Sequence, residues 1–247
     1  MDITGNTILI TGGGSGIGRA LAEAFHARGN DVIITGRNRE RLREVEEANP
    51  GIRAYELDVD DPAAISAFAE RVVEDFGSLN VLINNAGIMR AEVLSDGGTE
   101  TAEATIATNL LGPIRLTAAL LPHLLAQPKA ALLTVSSGLA FLPRAVAPTY
   151  CATKAAIHSY TQSLRVHLRG TPVEVIELVP PYVQTELMST QQATDPNAMP
   201  LADYISETMA LLEANPDADE ILVKRVHFQR YAEREGRYQE SFARVNG

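Results

Sequence analysis

The chain has 247 residues, 45% hydrophobic and 21% charged, with 21 Lys plus Arg against 31 Asp plus Glu and a formal charge of −10. Such a length buries about 70–75% of the unfolded surface, so one α/β domain folds without a staple, and a single cysteine, Cys151, excludes an intramolecular disulfide or a cysteine-rich metal site. The acidic balance disfavours nucleic acid as a partner, no run reaches about 18 apolar residues to span a membrane, and the start lacks a secretory signal pattern, so a cytoplasmic protein acting on small molecules is expected.

Short β-rich runs alternate with longer helical stretches, the pattern of βαβ units on a parallel sheet. Strands are predicted at Thr7–Thr11, Asp31–Thr35, Ile52–Leu57, Leu79–Asn84, Ala130–Val135, Val173–Leu178 and Ile221–Val223. Several are almost wholly apolar, as strands are when helices cover both faces. After the first, Ile17, Ala20, Leu21, Ala24 and Phe25 recur at one-face helical spacing up to Gly29. Arg37–Ala48 reads as a solvated helix ended by Asn49-Pro50-Gly51, and Pro62–Phe76 and roughly Glu100–Leu125 as the next crossovers. Pro148–Leu168 is a further long helix, stopped before Gly170-Thr171-Pro172. Pro180–Pro200 is irregular, and residues 180–213 are expected to be a mobile substrate-loop region. Phe228–Val245 alternates charged and aromatic residues, giving residues 225–247 as a C-terminal extension of one or two amphipathic helices. The expected architecture is one doubly wound, Rossmann-type domain over 1–247, a seven-stranded parallel sheet with helices on both faces.

Between the first strand and helix lies Thr11-Gly12-Gly13-Gly14-Ser15-Gly16-Ile17-Gly18. Glycine permits positive φ and close backbone approach, and a helix N-terminus offers unpaired N–H groups and partial positive charge, which suits a pyrophosphate. The spacing Gly12-x3-Gly16-x-Gly18 departs from the G-x-G-x-x-G dinucleotide fingerprint. At the end of the second strand an acidic residue would hold the ribose 2′-OH of NAD, whereas an arginine accommodates the 2′-phosphate of NADP. Gly36-Arg37-Asn38-Arg39 holds no carboxylate, and Arg37 can bond a phosphate in paired fashion, so NADP(H) is the expected cofactor, with NAD(H) the other candidate. The plainer reading makes Arg37 and Arg39 solvated charges opening a helix.

Asn84-Asn85-Ala86-Gly87 follows the fourth strand, Ser136-Ser137 the fifth, and Tyr150-Cys151-Ala152-Thr153-Lys154 opens the long helix. With the glycine turn, this set closely resembles the short single-domain branch of the short-chain dehydrogenase/reductase family. Tyr150 and Lys154 are one helical turn apart and share a face, and an ammonium beside a phenol should lower its pKa from about 10. The resemblance implies that Tyr150 is the acid/base on the substrate oxygen and that Lys154 also holds the nicotinamide ribose. It implies that Ser137, 13 positions before Tyr150, orients the substrate oxygen, with Ser136 the neighbouring alternative. Asn109 matches the family's helix-bending asparagine beside a water-mediated proton route. By the same resemblance Gly12, Ser15, Gly16, Ile17, Gly18, Arg37, Asp58, Val59, Asn85, Ala86, Gly87, Pro180, Val183 and Thr185 contact the cofactor; Asp58 is alternatively a helix N-cap, and Asn84 a sheet stabiliser.

The family carries Pro-Gly where this chain has Pro180-Pro181, which stiffens the loop and removes an N–H donor. Cys151 reads as a bystander thiol, and His26, His123, His158, His167 and His227 show no pairing that suggests a metal. The resemblance implies a substrate wall at Leu139–Pro143, whose apolar groups suit a carbonyl with a hydrophobic substituent, with Arg144 either a partner for an acidic substrate group or a surface arginine. Leu187, Met188, Met199 and Leu201 are lid or packing residues. The expected function is NADP(H)-dependent hydride transfer to or from a carbonyl or alcohol. A non-catalytic nucleotide-sensing scaffold and an epimerase or dehydratase are the alternatives. The resemblance also implies a homodimer or homotetramer, with Leu110, Leu111, Leu116, Ala119, Leu120, Ala155, Ala156, Tyr160 and Leu164 as the candidate face.

Overall fold

All seven expected strands are present in the computed structural model, which describes residues 1–247. They are β1 Thr7–Thr11, β2 Asp31–Gly36, β3 Arg53–Glu56, β4 Leu79–Asn84, β5 Ala130–Val135, β6 Val173–Leu178 and β7 Glu220–Ile221. Every pairing is parallel and the order is β3-β2-β1-β4-β5-β6-β7. The order reverses between β1 and β4, where a crevice opens beyond the carboxyl ends of the strands.

Strand alternation divides the core in two. Ile8, Ile10, Ile34, Ile83 and Leu133 face α1 (Gly16–His26), α2 (Arg39–Ala48) and α7 (Leu201–Ala214), which contribute Leu21, Phe25, Val45, Tyr204 and Leu212. Leu9, Ile33, Leu82 and Leu132 face α3 (Pro62–Asp75), α5 (Gly112–Leu125) and α6 (Pro148–His167), which contribute Phe68, Val72, Leu116, Leu120 and Leu164. Each such fully buried side chain contributes roughly 1.5–3 kcal/mol. Taken as one stretch, Glu100–Leu125 is long and apolar enough to cross a membrane. Its apolar stripe, Leu116, Leu120 and Leu124, is instead fully buried in this second core.

Several expectations are corrected. The helix after β2 starts at Arg39, not Arg37, because the Asn38 side chain caps it by accepting from Arg41 N at 3.0 Å. Arg37 is thereby left on the turn. The edge strand β3 is shorter than predicted, and β7 is only two residues, pairing Glu177 with Glu220 and Leu178 with Ile221 before the chain turns away. Glu100–Leu125 is not continuous: α4 (Glu100–Ile106) and α5 are joined by a π-helical turn, Ala107–Leu111, that contains Asn109. Within 180–213 only the segment up to Pro200 is irregular, since α7 is a regular helix with Tyr204, Ile205, Met209 and Leu212 buried. Of the proposed subunit face, Leu116, Leu120 and Leu164 are interior, whereas Leu111, Ala119 and Ala155 are exposed. Beyond β7 come α8 (His227–Arg230) and α9 (Tyr238–Asn246).

Candidate active site

The β1–α1 turn is locked to the end of β4. Thr11 Oγ1 accepts from Asn85 N and Ala86 N, both at 3.0 Å, and Asn85 Nδ2 donates to Thr11 O at 2.8 Å. Gly12 and Gly16 have φ of 68° and 52°, a region that suits glycine. A Cβ at Gly18 would overlap the Gly12 carbonyl and Asn85 Nδ2. Gly18→Ala is therefore expected to displace the turn and lower stability by about 1–3 kcal/mol, read as a lower urea midpoint. Ser15 makes no side-chain cap and the first turn of α1 holds no acidic residue, so the first amides of that helix are left for another acceptor.

A cleft of about 1340 Å³ runs from this turn past the ends of β4, β5 and β6. Gly12, Ser15, Gly16, Ile17, Gly18, Arg37, Asn85, Ala86, Gly87, Ser137, Tyr150, Lys154, Pro180, Val183 and Thr185 all line it. Ser136 lines it as well, with its hydroxyl buried and unpartnered. Asp58, Val59 and Asn109 do not form its wall. Asp58 accepts from Asp60 N at 3.0 Å and is not a helix cap; Asp61 caps α3, accepting from Ala63 N and Ala64 N. Val59 is buried against Gly112. Asn84 donates to Thr117 Oγ1 at 3.0 Å inside the core, a bond that ties β4 to α5.

Asn109 stands behind the wall. Its side chain accepts from Ile88 N at 2.8 Å and donates to Ile88 O at 2.9 Å and to Thr153 Oγ1 at 3.2 Å. The π turn thus ties the segment after Gly87 to α6, and Thr153 passes the link to Tyr150 O at 2.8 Å. Glu92 secures the start of α6, accepting from Thr149 N at 2.9 Å and Thr149 Oγ1 at 2.7 Å.

Tyr150 and Lys154 are both about 5% exposed. Burial pushes the phenol up to about 12, with the Ser137 hydroxyl beside it acting the other way. Burial pulls the lysine down to about 8, opposed by the charge of Glu177. Nζ donates to Val135 O at 2.8 Å and lies 5.6 Å from the centre of the tyrosine ring. The expectation that Lys154 lowers the Tyr150 pKa is therefore not met. Desolvation of the phenol dominates, and the ammonium is directed at a strand carbonyl.

At the far end of the turn, Arg37 lies 3.7 Å from Asp60 Oδ2, which also accepts from Thr108 Oγ1 at 3.0 Å. Arg41 pairs with Glu186 at 3.0 Å, joining α2 to the irregular loop. That loop is organised by buried Gln192, whose Nε2 donates to Val183 O at 2.9 Å and Thr185 Oγ1 at 3.1 Å while Oε1 accepts from Met188 N at 3.2 Å. On the opposite wall, Gln229 of α8 presses against Gly138, where a Cβ would overlap its amide. Asn246 of α9 accepts from Ala145 N at 2.6 Å and donates to Pro143 O at 3.0 Å.

One histidine does have acidic neighbours that its sequence position gives no sign of. His158 Nδ1 lies 2.7 Å from Glu177 Oε2 and 3.9 Å from Glu220 Oε1, on α6, β6 and β7 respectively. Arg230 already binds Glu220 through two bonds, of 2.9 and 3.0 Å, so a cation is in place at this cluster.

Residues 6–196 match the family described as short chain dehydrogenase. The chain is 45% identical over 210 residues to DltE of Bacillus subtilis (strain 168), an uncharacterised oxidoreductase, over 84% of this chain and 82% of that one. A short-chain dehydrogenase from Burkholderia cenocepacia J2315, solved in complex with NADP, superposes with a TM-score of 0.83 at 26% identity over 99% of both chains. A short-chain dehydrogenase/reductase from Burkholderia phymatum, in complex with NAD, shares the fold with a TM-score of 0.85 at 22% identity over 97% of this chain and 96% of that one.

Proposed function

The chain belongs to the short-chain dehydrogenase/reductase family, and on that footing we propose that it is an NADP(H)-dependent oxidoreductase acting on a carbonyl or alcohol. The observation that carries this reading is one cleft with an uncapped helix N-terminus at one end and buried Tyr150, Lys154 and Ser137 at the other. The residues fit a dinucleotide. The free amides of α1 match a pyrophosphate, and the unpartnered Ser136 hydroxyl lies along the same wall. When bound, the nicotinamide supplies or takes up the hydride.

The chain's own residues handle the oxygen. Ser137 holds it by a hydrogen bond, and Tyr150 transfers a proton between its phenol and that oxygen. Lys154, cationic below about 8, holds the ribose and stabilises charge beside the phenol. Asn109 positions α6 through Thr153. A phenol protonated up to about 12 is ready to donate. Near neutrality the phenol is thus in the state that reduction starts from, whereas oxidation starts from the phenolate and its rate rises with pH. The same reading has a cytoplasmic protein that assembles as a homodimer or homotetramer, the assembly being testable by sedimentation.

NADPH absorbance decay with a panel of ketones, aldehydes and diketones tests the proposal. Decay with stoichiometric alcohol supports it. Conversion without net NADPH consumption overturns it in favour of an epimerase or dehydratase, and no conversion of any compound in favour of a scaffold. The NADP(H) preference rests on Arg37 and the added proximity of Arg41. Asp60 anchors the Arg37 guanidinium while a 2′-phosphate would bring more charge to it. Arg37→Ala is expected to raise the KM for NADPH by about tenfold or more and to change the KM for NADH far less. Wild-type kcat/KM favouring NADH would refute the preference.

A further inference from the structure

The other mouth of the cleft carries charge that the redox reading leaves unused. Arg144, Arg225 and Arg244 line it, from the segment before α6, the turn before α8 and α9. None of the three makes a salt bridge, although the chain holds ten more acidic than basic residues. Arg225 donates to Asn197 O at 2.5 Å, and Arg244 lies over the Phe228 ring at 5.3 Å, which holds its planar head against an apolar surface. The carboxylates in the cleft wall, Glu44 and Glu186, belong to the Arg41 end, where Glu186 is paired. Asp195, the acid whose pKa responds to Arg144, is engaged by Asn197 N at 2.8 Å and the Tyr182 hydroxyl at 3.0 Å. Met89, Leu139 and Met188 also line the cleft and pack in the cluster that contains Tyr150, an apolar collar beside the phenol.

We propose that this mouth is an anion site and that the physiological substrate is an oxo or hydroxy compound with an apolar body and a terminal acidic group, a carboxylate or phosphate. The proposal rests on the redox reading for the carbonyl end of the molecule and on the arginines alone for the acidic end. Guanidinium forks match both oxyanions by paired hydrogen bonds, and Arg144 is half-buried while Arg225 and Arg244 are exposed to an incoming anion. Of the apolar wall expected at Leu139–Pro143 only Leu139 lines the cleft, so the expected hydrophobic contact is narrowed to the collar.

Two measurements test it separately. In calorimetry on the NADP+-loaded protein, octanoate is expected to bind at least about tenfold more tightly than octan-1-ol, and the Arg144→Gln, Arg244→Gln double variant to abolish that difference. In turnover, kcat/KM for 7-oxooctanoate is expected to exceed that for its methyl ester by about tenfold or more, a ratio the double variant brings towards one. The corresponding phosphorylated hydroxy ketone, run beside the acid, tells which oxyanion the site prefers. Equal binding of acid and alcohol, or equal turnover of acid and ester, overturns the anion site and leaves the redox reading intact. Selective octanoate binding without reduction of any carbonyl overturns the redox reading and leaves the anion site standing.

Discussion

Tyr150→Phe is expected to lower kcat by about 100- to 10,000-fold, the range by which a positioned acid/base contributes. Cofactor affinity, read by NADPH fluorescence titration, should stay within a few-fold. The substitution removes one oxygen from a pocket closed by Met89, Ala147 and Cys151, so the ring keeps its packing and only the proton donor is lost. Near-normal turnover in the variant would exclude Tyr150 from proton transfer and with it the assigned role of the site. A softer outcome is equally informative. Should kcat fall only above pH 8, the proton would have another donor, one that is protonated below that pH.

Lys154→Met is expected to act in opposite directions on activity and stability. The lysine's pKa is held at about 8, against an ordinary 10.5, by burial. The folded protein therefore carries a charge that the unfolded chain solvates better. That gap corresponds to roughly 3 kcal/mol at about 1.4 kcal/mol per tenfold, offset in part by the lost bond to Val135 O. The unliganded variant should gain about 1–3 kcal/mol at pH 7, while NADPH-dependent turnover falls by at least about 100-fold. The sign with pH follows. Between pH 8 and 10 the unfolded wild type holds more protons than the folded one, so its stability rises with pH. Lys154→Met abolishes that rise. Above pH 10 Tyr150, held at about 12, works the other way, so the comparison belongs below it. Urea melts at pH 7, 8, 9 and 10 decide the matter, and parallel curves for the two proteins would show that Lys154 carries no such penalty.

The strands, the glycine turn and the Tyr150–Lys154 stripe were legible because each is a local pattern, an apolar run or a one-turn repeat. The contacts that shape the site are not local. Asp60 meets Thr108 across 48 positions, Glu92 meets Thr149 across 57, and Arg41 meets Glu186 across 145. Helix α7 was hidden behind the proline-rich segment, although Leu201, Ile205, Thr208 and Leu212 repeat with helical spacing. The π turn at Asn109 leaves no mark on a hydrophobic pattern, since one extra residue in a turn only shifts the phase. The acidity of Tyr150 was misjudged for a related reason. Spacing reports that an ammonium is near, but not where it points or how much water both groups have lost.

The fastening of Asn246 to Ala145 and Pro143 has a temporal meaning. It joins positions 101 apart, so a growing polypeptide presents the tyrosine and lysine long before the segment that encloses their chamber has been synthesised. A nascent chain arrested before α9 therefore already holds the tyrosine and lysine but lacks the segment that fastens Ala145 and Pro143 beside them.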